Sequence, residues 1–261
     1  DDLDAIHATS TNAPTAMGLA VTAGGFIFAL GANGAPRSIA WCDREDPTVW
    51  TALTTNEAGA YELQTNGDIL GAVRVRGRTL ILTTTDAHVA TYLGPPSVYG
   101  FQRVGVNCGL ASPLAVVAAN QGAFWMGEEA FYAYDGSSVT ALPCEVQDHV
   151  FDDLNTLEIR KAFGVSNAKA NEVWWFYPGG TSTEVNKYVG FNYLEGHWII
   201  GDLDRTAAAD YGVFDDPLWV DSDGDIWRHE VGHNHNGDEP IATSGPIMLG
   251  DGDEIMHVTK V

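Results

Sequence analysis

Between Cys108 and Gly136 short apolar runs alternate with short polar joints. The runs are Leu114 to Ala119, Ala123 to Met126 and Ala130 to Tyr134; the joints are Asn120-Gln121-Gly122 and Gly127-Glu128-Glu129. Runs this short, rich in Val, Phe, Trp and Tyr and broken by Gly-bearing joints, predict strands of an antiparallel meander. A fourth run, Val139 to Leu142, follows the turn residues Asp135-Gly136-Ser137-Ser138. Four strands wound back and forth are one blade-like unit, so the next question is whether the unit recurs.

It recurs on both sides. Gly24 to Leu30 and Arg37 to Trp41 predict a strand pair around the loop Gly31-Ala32-Asn33-Gly34-Ala35-Pro36, after which comes a Gly59-containing loop. Ile69 to Arg74 and Thr79 to Thr84 flank Arg76-Gly77-Arg78 as a hairpin; His88 to Leu93 continues it, and Pro95-Pro96 is expected to end it. Beyond the central unit, Lys161 to Val165, Glu172 to Tyr177, Tyr188 to Tyr193 and His197 to Ile200 predict four more strands. A last set is expected at Ala208 to Val213, Leu218 to Val220, Ile226 to His229 and near Ile247. A turn followed by an aromatic residue marks each unit at Gly25, Gly77, Gly122, Asn171 and Asp216, at intervals of roughly 45 to 52 residues, the spacing of propeller blades. Helical periodicity is confined to Glu145 to Ile159, through Val146, Val150, Leu154 and Leu157.

The expected fold class is therefore all-β: a β-propeller of about five or more four-stranded antiparallel blades over residues 24–261, preceded by a polar, Ala/Thr-rich segment at 1–23. Glu254 to Val261 reads as a strand without a partner. Either the amino-terminal residues pair with it and close the ring, or the natural protein continues; the acidic, Met-less start and the strand-like end favour a fragment.

At 261 residues the chain is long enough for one large β domain or two ordinary ones. No apolar run approaches the ~20 residues of a membrane helix, so a soluble protein is expected. No signal peptide opens the sequence, although a mature or truncated chain leaves export open. Three cysteines, Cys42, Cys108 and Cys144, lack metal-type spacing and are expected to be reduced, buried thiols. Composition departs from the ordinary in charge: 13 basic residues against 35 acidic ones give a net charge of −22. Such a surface is unsuited to gripping a phosphate backbone or an anionic membrane. It suits either a salty environment or a surface past which nucleic acid slides without sticking.

Few motifs carry chemistry. Asp221-Ser222-Asp223-Gly224-Asp225 spaces three carboxylates at alternate positions, making Asp221, Asp223 and Asp225 weak candidates for a calcium loop. Ile226 and Gly232 stand where an EF-hand loop needs its sixth-position Gly and its bidentate Glu, and Trp219-Val220 and Ile226-Trp227 flank the stretch like a hairpin. His229, Glu230, His233 and His235 suggest zinc, but the i, i+4 spacing works only on a helix, and Gly232, Asn234, Asn236 and Gly237 disfavour one. Glu128 and Glu129 share one turn, whereas glycosidases draw their carboxylate pair from separate elements. Ser222 to Trp227 approaches a sialidase-type Asp box without matching it. The eight tryptophans are expected to pack in the core and between blades. No cofactor is implied and no catalytic residue stands out.

The segment Trp41-Cys42-Asp43-Arg44-Glu45-Asp46-Pro47-Thr48-Val49-Trp50, together with Cys108-Gly109, Phe124-Trp125-Met126-Gly127 and Phe131-Tyr132-Ala133-Tyr134-Asp135-Gly136, resembles the β-propeller hub or nozzle proteins of short-tailed bacteriophages, including the packaged-DNA stabilisation proteins. Ile226 to Gly232 resembles a later blade segment of the same family. The resemblance implies a structural virion protein rather than an enzyme, made in the bacterial host cytoplasm. It implies a homo-hexameric ring stacked under portal and adaptor proteins, with packaged DNA retained in, and later released through, a channel. An acidic channel wall and the absence of a membrane partner fit that expectation. The alternative is a secreted β-propeller glycosidase or carbohydrate-binding propeller, whose acidic and aromatic side chains would gather at one end of the axis.

Overall fold

The computed structural model describes residues 12–232. Of these, residues 12–229 belong to one compact unit, and Glu230 opens a second. The first unit is all-β: among the described residues nineteen strands make five antiparallel sheets, each a simple up-and-down meander in chain order. Sheet 1 contains β1 (Gly18–Val21), β2 (Ile27–Leu30), β3 (Ser38–Trp41) and β4 (Gly59–Glu62). Sheet 2 contains β5 (Ile69–Val75), β6 (Arg78–Thr83), β7 (Asp86–Gly94) and β8 (Val98–Val106). Sheet 3 contains β9 (Val116–Ala119), β10 (Gly122–Met126), β11 (Phe131–Tyr134) and β12 (Val139–Ala141). Sheet 4 contains β13 (Phe163–Asn167), β14 (Glu172–Tyr177), β15 (Lys187–Asn192) and β16 (Trp198–Asp202). Sheet 5 contains β17 (Ala207–Ala209), β18 (Leu218–Val220) and β19 (Ile226–Arg228). One short helix, α1 (Gln147–Asp153), links sheets 3 and 4 and contributes Val150 and Phe151 to the core.

Alternation decides which neighbour each side chain meets. Successive residues of a strand point to opposite faces, and the middle sheets are covered on both. In β6, Leu80 and Leu82 join a core with sheets 3 and 4, whereas Ile81 between them joins a core with sheet 1. In β14, Trp175 faces the large central core, and Phe176 packs with Trp219 of sheet 5. A strand buried on both faces reads as a continuous apolar run, which explains Gly122 to Met126, buried at every position. Trp125 and Trp175 are fully buried, and each indole N–H finds a backbone carbonyl, Cys108 O at 2.9 Å and Ala115 O at 3.0 Å. That pairing removes the cost of burying the indole N–H.

Successive sheets also meet through their first strands: β1 touches β5, β5 touches β9, β9 touches β13, and β13 touches β17. A parallel bridge between Leu114 and Phe163, with Gly164 N–H donating to Leu114 O at 2.8 Å, ties the start of sheet 3 to that of sheet 4. Gly164 permits the approach, since a Cβ there would lie 2.5 Å from Val117 Cγ2.

Three expectations shift. Residues 1–23 do not stand wholly apart from the sheets, because Gly18–Val21 is β1 and pairs with β2 along its length. Its four residues alternate half-buried and exposed beside β2, too short a run to register as a pattern. Pro95-Pro96 does not end the meander; it forms the β7–β8 turn, and the nine-residue β8 follows. Gly59 begins β4 rather than a loop, because its lack of a side chain accommodates the Trp41 indole, 2.5 Å from a Cβ built there. The run near Ile247 and the strand-like Glu254 to Val261 lie outside the described residues.

Candidate functional site

The acidic stretch at 221–225 is the β18–β19 turn, and Asp221 is its keystone. Asp221 Oδ1 accepts from the backbone N–H of Asp223 at 3.0 Å and of Asp225 at 2.9 Å, and Oδ2 accepts from Trp227 Nε1 at 2.6 Å. The Trp227 bond and then the two amides hold its carboxyl below the usual range. Asp223 and Asp225 are exposed. Self-capping by an Asx side chain is a turn device, and it recurs. Asp46 accepts from Thr48 N and Oγ1; Asp135 from Ser137 N, Ser137 Oγ and Ser138 N; Asn192 from Leu194 N and Glu195 N. Among the described residues no group of three or more His, Cys, Asp or Glu is placed to hold a metal ion.

His229 enters a different arrangement from the zinc one. It stacks on Trp219, with ring centroids 3.8 Å apart, and its Nε2 lies 3.3 Å from Arg205 Nε and 3.2 Å from Arg205 Nη2. An imidazole nitrogen facing two guanidinium donors acts as acceptor, so the proton sits on Nδ1. Burial first, and the guanidinium charge second, push its pKa down to about 4. His233 and His235 lie outside the described residues.

Glu128 and Glu129 occupy the turn closed by Gly127 N–H donating to Ala130 O. They line a cavity of about 310 Å³ with Thr84, Thr85, Asn107 and Tyr132, and both its carboxylates come from this one turn. Cys42, Cys108 and Cys144 are free thiols; the first two are buried, and burial pushes both Cys108 and Cys144 up to about 11. A raised thiol pKa means little thiolate and little nucleophilicity at neutral pH.

Sequence reasoning did not anticipate a polar cluster at the border of sheets 1 and 2. Asp86 and His88 occupy the start of β7 and are 5 % and 4 % exposed. Asp86 Oδ1 accepts from Thr65 Oγ1 at 2.8 Å and Thr83 Oγ1 at 2.5 Å, and lies 3.2 Å from His88 Nε2 without hydrogen-bond alignment. Arg103 sits directly opposite His88 on β8, and nearby Arg37 donates to Thr65 O and Glu62 Oε1. The signal for this cluster is an ionisable pair two positions apart, Asp86-Ala87-His88, in a strand otherwise expected to be apolar.

Charge is unevenly distributed. Between positions 63 and 127 stand Arg74, Arg76, Arg78 and Arg103 against Asp68 and Asp86, in a chain of net charge −22. Arg76 and Arg78, at the β5–β6 turn, donate to the carbonyls of Gln121 and Gly136 and so tie sheet 2 to sheet 3. No helix among the described residues is long and apolar enough to cross a membrane. No protein-family profile matches the chain, and no curated protein matches it.

Proposed function

We propose that the chain is a structural component of a bacteriophage tail, a β-propeller hub or nozzle element whose job is mechanical rather than chemical. The observation that carries the proposal is the recurring antiparallel meander, four sheets of four strands and one of three among the described residues, each joined to the next through its first strand and through the apolar faces between them. Radial repetition of small sheets protects strand edges from pairing with other chains. That suits a component that bears load at high local concentration. In this reading the chain assembles as a ring of six copies under portal and adaptor proteins, and packaged DNA passes through its channel. The acidic surplus keeps the polyanion from adhering, because neutralising a phosphate on the wall would have to be undone for each step of ejection.

The test is the native mass of the purified chain together with electron microscopy of the particles. A closed six-membered ring with an acidic lumen is the expected result. A monomer at every concentration tried, or a ring with a basic lumen, contradicts it. The second reading, a carbohydrate-directed propeller, rests on the cavity that places Tyr132 beside Glu128 and Glu129, and it ranks below the first because both carboxylates come from one turn. Glycoside turnover abolished by Glu128→Gln or Glu129→Gln would put that reading first.

A further inference from the structure

We infer that the cleft between sheets 1 and 2 is a carboxylate-binding site, with Arg103 as its cation and His88 at its floor. Two adjoining cavities of about 500 Å³ and 230 Å³ share Leu63, Gln64 and Arg103. The smaller also holds His88 and the rings of Tyr61 and Phe101, which stack at 4.4 Å and 4°.

Arg103 carries the inference. It is exposed, and among the described residues it makes no hydrogen bond, ion pair or cation–π contact. A planar guanidinium with every donor free is matched by the two oxygens of a carboxylate. The other cation at the cleft, Arg37, is already engaged by Glu62 and Thr65. The register sets His88 and Arg103 side by side on one face, because directly opposed residues of an antiparallel pair share a face. His88 is 4 % exposed, and its Nε2 lies 3.2 Å from Asp86 Oδ1 without hydrogen-bond alignment, so the ring reports on the cleft beside Arg103 and does not itself bind the anion. Asp86 keeps its negative charge beside His88, its carboxylate held by the Thr65 and Thr83 hydroxyls, so the incoming anion pairs with Arg103. The exposed part of the Tyr61 ring offers an apolar shelf for the methylene groups behind a carboxylate.

A carboxylate can come from two sources, a free small acid or an Asp or Glu of a second copy of this chain, which carries 35 such residues. The cleft's chemistry is the same for both, and it holds whether or not the chain is a tail component.

The test titrates sodium succinate into the intact protein while the His88 ring resonances and the heat of binding are followed. Arg103→Gln is run beside wild type, with Arg74→Gln, also at an exposed position, as a control on the same sheet. Saturable binding that moves the His88 signals, weakened at least about tenfold by Arg103→Gln and unchanged by Arg74→Gln, is expected for a bidentate ion pair. Sedimentation of the same samples separates the sources. If a second copy supplies the carboxylate, Arg103→Gln lowers the oligomeric state and succinate competes with assembly. If a free acid does, the oligomeric state stays the same. A far-UV and thermal comparison checks that the variant is folded. No shift at His88 and no change of assembly on Arg103→Gln in a folded variant overturns the assignment.

Discussion

Replacing His229 with Gln isolates one titration in a chain crowded with carboxylates. In the folded protein the imidazole lies against Trp219 and accepts from Arg205, and its pKa is pushed down to about 4. In the unfolded chain it titrates near ~6.5. The folded state therefore refuses a proton that the unfolded state accepts. Stability is complete above about pH 6.5 and declines as the pH falls towards about 4, where the loss levels off. One pKa unit is about 1.4 kcal/mol, so the full shift would remove about 2 kcal/mol between pH ~7 and ~5. His229 is only half-buried, and screening by solvent reduces this to about 1–2 kcal/mol. A Gln at 229 keeps a carbonyl acceptor for Arg205 and removes the titration. The assay is urea unfolding of both proteins at several pH values, followed by Trp fluorescence, with the His229 ring titrated by NMR. The difference between wild type and variant should shift in favour of the variant by about 1–2 kcal/mol across that range. A difference independent of pH, or a His229 ring that titrates near ~6.5, would falsify the reasoning.

Three further outcomes follow from the packing. Gly109→Ala places a Cβ 2.0 Å from Thr84 O, a backbone atom that cannot swing away. It should lower the urea midpoint by the equivalent of about 3 kcal/mol or more, while Gly212→Ala, with nothing within 4 Å, should sit within about 0.5 kcal/mol of wild type; equal effects at the two positions would refute the close approach. Thr83→Val removes a hydroxyl donor from the buried Asp86 carboxylate and should cost about 1–3 kcal/mol by chemical denaturation; a neutral result would mean that Asp86 finds its donors elsewhere. Cys108 and Cys144, with thiols pushed up to about 11, should react with a disulfide reagent at neutral pH more than about tenfold slower in the native protein than in urea, and a fast native phase at Cys108 would contradict its burial.

Where strands run apolar on both faces or carry aromatic residues between clear turn signals, the sequence located them closely: Glu172–Tyr177 and Leu218–Val220 match residue for residue. The strands it missed obey other rules. Gly18–Val21 shows a half-buried face of Gly18 and Ala20 and an exposed face of Leu19 and Val21, and four residues are too few for that alternation to stand out. Gly59–Glu62 begins on a glycine needed by an indole from the neighbouring strand. The acidic turn at 221–225 was legible as a hairpin because Asp and Gly between Trp-bearing runs have a local mechanism. The Asp86–His88–Arg103 cluster was not, because it joins two strands, β7 and β8, with Thr65 from a third segment. The pairing of Arg205 with His229, 24 residues apart, was hidden for the same reason.

The sequence alone determined the all-β class, the recurrence of a meander every 45 to 52 residues and the acidic surplus, since turn chemistry, strand periodicity and charge are local properties. Tertiary structure decided which face of each strand meets which neighbour, how the first strands of successive sheets come together, and which polar groups share the cleft between sheets 1 and 2. Those outcomes depend on register and on packing between segments distant along the chain. A one-residue change of register would exchange the faces without altering a single local signal.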